Sequence, residues 1–337
     1  MSTRRLTPAD LAGKVIDVHS HVGVALKSYA ALEYPWAQTV EDVYYRQLAG
    51  GVDVNVVFPF TGDLHFEPGP LVRGEMVPAA EPVSPVPYAV ENRRVVKDVY
   101  DHCPEIADRF LPFVCIDPVR EAAGQLAELR ALADEYPVYG MKVNPVGCQS
   151  HAAGLLGEGS ALLDFAEERD LPLLFHVSTL PGEDYSQAAD VLAITEARPK
   201  LRFCLAHCIL FDKALLDRAS AAPNVWVDTA AMKIQVQLVR EELPPGGLID
   251  ADFSDHLAVM RALCGMYPRM ILWGTDSPCY SYICCRKQGE GTHHDFRLKA
   301  AYADEVAALE CLPEELKSRV SNLNTLEFLF GGGGGAG

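Results

Sequence analysis

Four short apolar runs in this chain each end in an ionisable residue. The first, Val15-Ile16-Asp17-Val18, leads into His19-Ser20-His21. The others are Leu171-Pro172-Leu173-Leu174-Phe175-His176, Leu201-Arg202-Phe203-Cys204-Leu205-Ala206-His207 and Met270-Ile271-Leu272-Trp273-Gly274-Thr275-Asp276. In an extended strand, residues i and i+2 point to one face. His19 and His21 can therefore reach a single ion together while Ser20 turns away. Strand after strand finishing in a metal-ligand side chain is what a site at one mouth of a barrel requires.

The rest of the chain alternates short β-branched runs with longer amphipathic stretches, the pattern of a parallel sheet with crossover helices. Strands are predicted over 14–19, 52–58, 110–116, 138–143, 172–177, 201–206, 224–229 and 270–275. Helices are predicted over 38–49, 90–103, 120–135, 159–169, 187–198, 212–221 and 253–267. Eight strands close a (β/α)8 TIM barrel, and several read apolar on both faces, as buried parallel strands do. An open doubly wound sheet is the rival α/β fold. It carries a Gly-rich phosphate turn after its first strand, where this chain has His19-Ser20-His21.

Residues 1–330 read as one barrel domain. A barrel needs only about 250 residues, so the surplus of this 337-residue chain falls in loops. Residues 59–90, rich in Pro and Gly, form the expected long insertion after the second strand, placed as a lid or substrate wall over the mouth. A second excursion, 277–295, follows the last strand. Residues 331–337 are nearly all glycine and read as a flexible tail.

The formal net charge of −17 repels phosphate backbones, and no Lys/Arg-rich run offers a local exception, which argues against nucleic-acid partners. No apolar stretch approaches the roughly 20 residues that cross a bilayer, and the basic N-terminus lacks the apolar segment of a secretory signal. The ten cysteines lack the dense spacing of a disulfide scaffold, so they read as reduced thiols of a cytoplasmic protein. Cys279, Cys284 and Cys285 lie near His293 and His294 in sequence, but the paired C-x-x-C spacing of a structural zinc site is missing. There is no G-x-S-x-G elbow, no G-x-x-x-x-G-K-[ST] phosphate loop, and Gly154, Gly157 and Gly159 do not form a dinucleotide fingerprint.

In these barrels chemistry sits at the C-terminal ends of the strands. His19 and His21 close the first strand, Lys142 nears the end of the fourth, and His176, His207 and Asp276 close the fifth, sixth and eighth. Imidazole nitrogen and carboxylate oxygen suit Zn²⁺ or a similar first-row ion with one position left for water. Asp17, two residues before His19, is placed either to orient a ligand or to serve as a buried structural carboxylate. Asp228 closes the seventh strand and faces the same choice, with structure preferred. Arg73, Tyr185, Tyr280 and Arg286 fall in loops at the same face, where specificity residues are expected.

The chain resembles the amidohydrolase superfamily, in particular the branch that includes aminocarboxymuconate semialdehyde decarboxylase. The resemblance rests on Asp17-Val18-His19-Ser20-His21, Gly140-Met141-Lys142-Val143-Asn144-Pro145, the His176 strand, Leu205-Ala206-His207 and Gly274-Thr275-Asp276-Ser277-Pro278. The closing stretch from Leu312-Pro313 to Asn322 and Asn324 is similar to the family's last helix. The resemblance implies His19, His21, His176 and Asp276 as metal ligands and His207 as the catalytic histidine of the sixth strand. It also implies a homodimer. Lys142 has two readings: a carboxylated bridge between two ions, as in some amidohydrolases, or a cation that contacts substrate beside one ion, which the decarboxylase-related branch favours.

The expected activity is hydrolysis of a small amide, ester or lactone by metal-activated water. Asp276 would carry the proton and His207 would stabilise the oxyanion. Non-oxidative decarboxylation of an unsaturated or aromatic acid uses the same ligands and is the alternative. A catalytically dead barrel kept as a scaffold is opposed by the presence of every ligand type together with His207 and Lys142.

Overall fold

The eight apolar runs become eight parallel strands curled about one axis in the computed structural model, which describes residues 4–30, 37–243, 246–280, 284–288, 291–295 and 299–331. They are β1 (Ile16–Val24), β2 (Val54–Pro59), β3 (Phe110–Ile116), β4 (Gly140–Val143), β5 (Leu173–Phe175), β6 (Phe203–Leu205), β7 (Val225–Asp228) and β8 (Ile271–Leu272). Each pairs with the next in sequence order and in parallel. A two-residue strand, Ala37–Gln38, adds antiparallel to the end of β1.

The seam between β8 and β1 is closed by the chain just beyond β8. The Val18 amide donates to the Trp273 carbonyl at 3.1 Å, the Asp276 amide to His19 at 2.8 Å, and the His21 amide to Ser277 at 2.7 Å. Gly274 permits this approach, because a Cβ there would sit 2.9 Å from the Cβ of His19. The seam also explains why β8 is shorter than predicted: it pairs regularly with β7 only at Ile271 and Leu272. In turn β1 runs five residues past its predicted end, since Ser20, His21 and Val22 pair with Val57, Phe58 and Pro59 after a register shift.

Apolar residues on both strand faces fill two cores. Val18, Val56, Phe58, Leu111, Phe113, Leu174 and Leu272 pack inside the barrel. Phe328, from the C-terminal helix Asn324–Phe330, stacks near Trp226 and Phe113 with ring centroids 5.8 and 6.4 Å away. Val57, Val114, Leu163, Val191 and Leu263 belong to the outer core between strands and helices.

Each predicted helix forms to within a few residues, except that 90–103 splits into Ala89–Lys97 and a wider turn over Asp98–His102. The helix Met232–Glu242 is additional to the prediction. It begins at left-handed Ala231 without a side-chain cap, so it carries no start signal in the sequence.

Residues 60–88 are a folded connection on the mouth side. A turn over Asp63–His65 and a short helix, Pro68–Val72, are tied back by Ala79 to His65 and Ser84 to Leu64 hydrogen bonds, both 3.0 Å. The excursion after β8 contains an antiparallel hairpin, Cys284–Gln288 with Gly291–Asp295. The glycine tail lies beyond Gly331, outside the described residues. Among the described residues no helix is long and apolar enough to cross a membrane.

Candidate metal centre

The strand ends bring His19, His21, Lys142, His207 and Asp276 into one buried cluster at the barrel mouth. His19 and Lys142 are each 1% exposed and Asp276 is 6% exposed. Charged side chains are almost never this buried unless paired, so their partners decide what the cluster can do.

Both β1 histidines are held by Nδ1. Asp228 Oδ2 lies 2.9 Å from His19 Nδ1, and the Pro59 carbonyl lies 3.3 Å from His21 Nδ1. An imidazole that donates through Nδ1 carries its lone pair on Nε2. The two Nε2 atoms converge on one oxygen, Asp276 Oδ1, at 3.3 and 3.2 Å. That oxygen is buried yet in hydrogen-bond geometry with neither ring nor any other described group. Buried carboxylate oxygens rarely go unpaired. An imidazole lone pair on either side of a buried carboxylate oxygen is donor chemistry that suits a divalent first-row cation.

The donor atoms sort into two overlapping sets, each within 4.8 Å internally: His19, His207 and Asp276, and His21, Asp276 and Cys279. Burial, with Lys142 as the next contributor, holds the His19 imidazolium well below its usual range. Burial also lowers His21, partly opposed by Asp276. For Asp276 burial works against the charge, but His19, His21 and His207 outweigh it and set its carboxyl at about 2. Neutral imidazoles and an ionised carboxylate are the protonation states that metal ligands need.

Lys142 is seated among these groups. Its Nζ lies 3.1 Å from His19 Nε2 and 4.9 Å from the centroid of the Phe58 ring. Burial lowers its pKa, while Asp228 and Asp276 act in the opposite sense.

His207 reaches the cluster from an unusual turn. His207 to Phe211 all have left-handed backbone, with φ between 47° and 62°, and none is glycine. Such residues cost roughly 1–2 kcal/mol each, and strain of this kind persists where surrounding structure imposes it. Here Asp228 Oδ1 accepts the His207 amide at 3.0 Å, and the five side chains are buried. His207 Nδ1 lies 3.2 Å from the Ala230 carbonyl, and its Nε2 lies 2.9 Å from Nδ1 of His176. His176 thus joins the cluster through His207 and belongs to neither donor set. Its pKa is held well below the usual range, first by burial and then by His207.

Asp17 does not touch a ligand ring. It accepts the His19 and Thr275 amides at 3.0 Å each, and its second oxygen bonds Thr275, Ser20 and Asn55. Asp228, read from sequence as structural, instead orients His19 directly. Arg73 is exposed and paired with Glu75. Tyr185 packs at a tilt against His151, and Tyr280 is buried with Ala231, Ile234 and Ala300. The side chains of Arg286, Cys284, Cys285, His293 and His294 lie outside the described residues. Cys279 is the donor that strand-end reasoning missed, since it sits on a turn three residues past Asp276.

Comparison with curated protein sequences returns no match. Among solved structures, the probable 2-pyrone-4,6-dicarboxylic acid hydrolase of Acinetobacter baumannii is 12% identical, with a TM-score of 0.56, covering 94% of this chain and 99% of its own. Dihydroorotase of Saccharomyces cerevisiae is 14% identical with a TM-score of 0.53, covering 94% and 84%. IDCase of Metarhizium anisopliae is 12% identical with a TM-score of 0.50, covering 96% and 98%. At these identities the likeness is one of fold. The model of the amidohydrolase family matches residues 67–330, which include Lys142, His176, His207 and Asp276 but not the β1 histidines. With that match over most of its length and the barrel beneath it, the chain belongs to the amidohydrolase family.

Proposed function

We propose that this protein is a metal-dependent hydrolase of a small amide, ester or lactone. The observation that carries the reading is the convergence of two neutral imidazole nitrogens on the unpaired oxygen of Asp276. His19, His21 and Asp276 would hold one divalent ion, zinc or a close relative, with His176 as a further candidate ligand. Bound there, such an ion supplies Lewis acidity and brings the pKa of a coordinated water to about 7. Asp276, with one oxygen given to the ion, would take the proton of the attacking water on its other oxygen and return it to the leaving group. His207, whose Nδ1 donates to the Ala230 carbonyl, would stabilise the developing oxyanion only with a second proton on Nε2 to donate. Lys142 would bind an anionic group of the substrate, in a site where low dielectric strengthens the contact.

Decarboxylation of an unsaturated or aromatic acid is the second reading. It is favoured by the buried Lys142 side chain, which as a cation would suit a substrate carboxylate. Metal analysis of the purified protein, followed by assay on lactones, cyclic amides and aromatic acids with CO2 monitored, tests both. Hydrolysis without CO2 supports the first reading, and CO2 release supports the second. A protein that binds no divalent ion removes both.

A further inference from the structure

The geometry points to Cys279 as a ligand of the metal centre, giving a thiolate, imidazole and carboxylate donor set with His21 and Asp276. This rests on the metal-centre reading above and extends it to a residue that the strand-end pattern does not contain.

The chain leaves β8 at Asp276, which has a left-handed backbone, and turns at once. The Cys279 amide donates back to the Asp276 carbonyl at 2.5 Å, which brings residue i+3 over residue i. Cys279 Sγ thereby comes within 4.8 Å of donor atoms on both His21 and Asp276. Two nitrogen or oxygen donors on one tetrahedral zinc ion, each about 2.0–2.1 Å from it, stand roughly 3.3 Å apart. His21 Nε2 and Asp276 Oδ1 already have that spacing, at 3.2 Å. The sulfur, within 4.8 Å of both, would close to the roughly 2.3 Å of a zinc–sulfur bond.

A second observation marks the point as a ligand position. Asp276 Oδ1 is buried and without a hydrogen bond, 3.2 Å from His21 Nε2. Cys279 as a residue is partly exposed, unlike Cys204 and Cys208 in the core. A cation at this point removes the thiol proton outright. Its consequence is selectivity: a thiolate ligand favours zinc, cobalt and cadmium over magnesium or manganese, which carboxylate and water ligands suit. It also places a soft, displaceable group at the edge of the mouth where substrate must enter.

The test uses the full chain stripped of metal and reloaded with Co²⁺ or Zn²⁺, compared with Cys279→Ser and Cys279→Ala. The parent should show a sulfur-to-cobalt charge-transfer band in the near ultraviolet. Its zinc X-ray absorption should contain a sulfur neighbour at about 2.3 Å. In both variants the band and the sulfur neighbour should disappear while a metal ion is still bound. Cadmium affinity should fall tenfold or more, with manganese affinity changed less than threefold. A parent that binds zinc through nitrogen and oxygen alone, or a band that survives in both variants, overturns the role of Cys279 and leaves the metal-centre reading intact. A parent that binds no divalent ion overturns both.

Discussion

Lys142 Nζ lies 3.1 Å from His19 Nε2, the one ring nitrogen of His19 that Asp228 does not hold. A lone pair cannot serve an ammonium and a metal ion together. Binding of the proposed ion would therefore require Lys142 to leave His19 Nε2 or to lose its proton, which burial favours.

Replacing Lys142 with Met keeps the apolar stem and removes the competing charge. Lys142→Met should bind one ion at least as tightly as the parent, with affinity rising about tenfold, or 1.4 kcal/mol. Turnover should fall a hundredfold or more, because the substrate contact is lost. Titration of the apo-protein with zinc, alongside steady-state kinetics, reads both. Two ions in the parent falling to one in the variant would instead identify Lys142 as a carboxylated bridge.

His19→Ala and His21→Ala should each lose most of the bound metal while far-ultraviolet circular dichroism stays that of the parent. Both side chains sit at the mouth, above the layers that stabilise the barrel interior. Asp276→Asn separates ligation from proton transfer. Its rate per bound ion should drop by about 10²–10⁴, the range of general acid–base catalysis. A corrected rate within a few-fold of the parent would remove Asp276 as the proton carrier.

Much of the centre was legible in the chain because apolar strands that end in His or Asp expose those ends on one rim. That pattern puts His19, His21, His207 and Asp276 on one rim, and the fold brings them together there. What it could not give is contact across the barrel. Asp228 reads as one more strand-end carboxylate, and only the curl of the sheet sets it 2.9 Å from His19. Asp117 looks equivalent at the end of β3, yet it is consumed by Arg120 and Ser150. The left-handed turn after His207 carries no glycine to announce it. Cys279 reaches the cluster only through a tight turn beyond the last strand.

The buried histidines define a pH test. Burial disfavours the imidazolium of His19 and His176, so their folded pKa values lie below the ordinary 6.5. The unfolded chain takes up protons below 6.5 where the folded chain does not. The stability term from these two groups is therefore complete above 6.5 and is lost as pH falls toward their depressed values. In the metal-free protein, the ring Cε1 proton resonances of both should remain at neutral-imidazole positions as pH falls through 6.5. A midpoint near 6.5 for either ring would show that its environment is not the dry one described.

Asp17 ties β1 to the chain that closes the barrel, and its removal should open that seam. Its carboxylate accepts the His19 and Thr275 amides, the Thr275 and Ser20 hydroxyls and the Asn55 amide, at distances from 2.7 to 3.2 Å. Asp17→Ala strands these donors in a site with no exposure. At about 1–3 kcal/mol for each buried donor left unpaired, even partial rearrangement should leave a loss of at least 3 kcal/mol in urea unfolding of the metal-free protein. Asp17→Asn retains one acceptor oxygen and should lose less. Because Asp17 holds the amides of His19, a proposed ligand, and of Thr275, next to Asp276, both variants should also bind zinc more weakly, in the same order as their instability. Asp17→Ala within 1 kcal/mol of the parent would mean that the backbone bonds of Val18, His21 and Asp276 hold the seam by themselves.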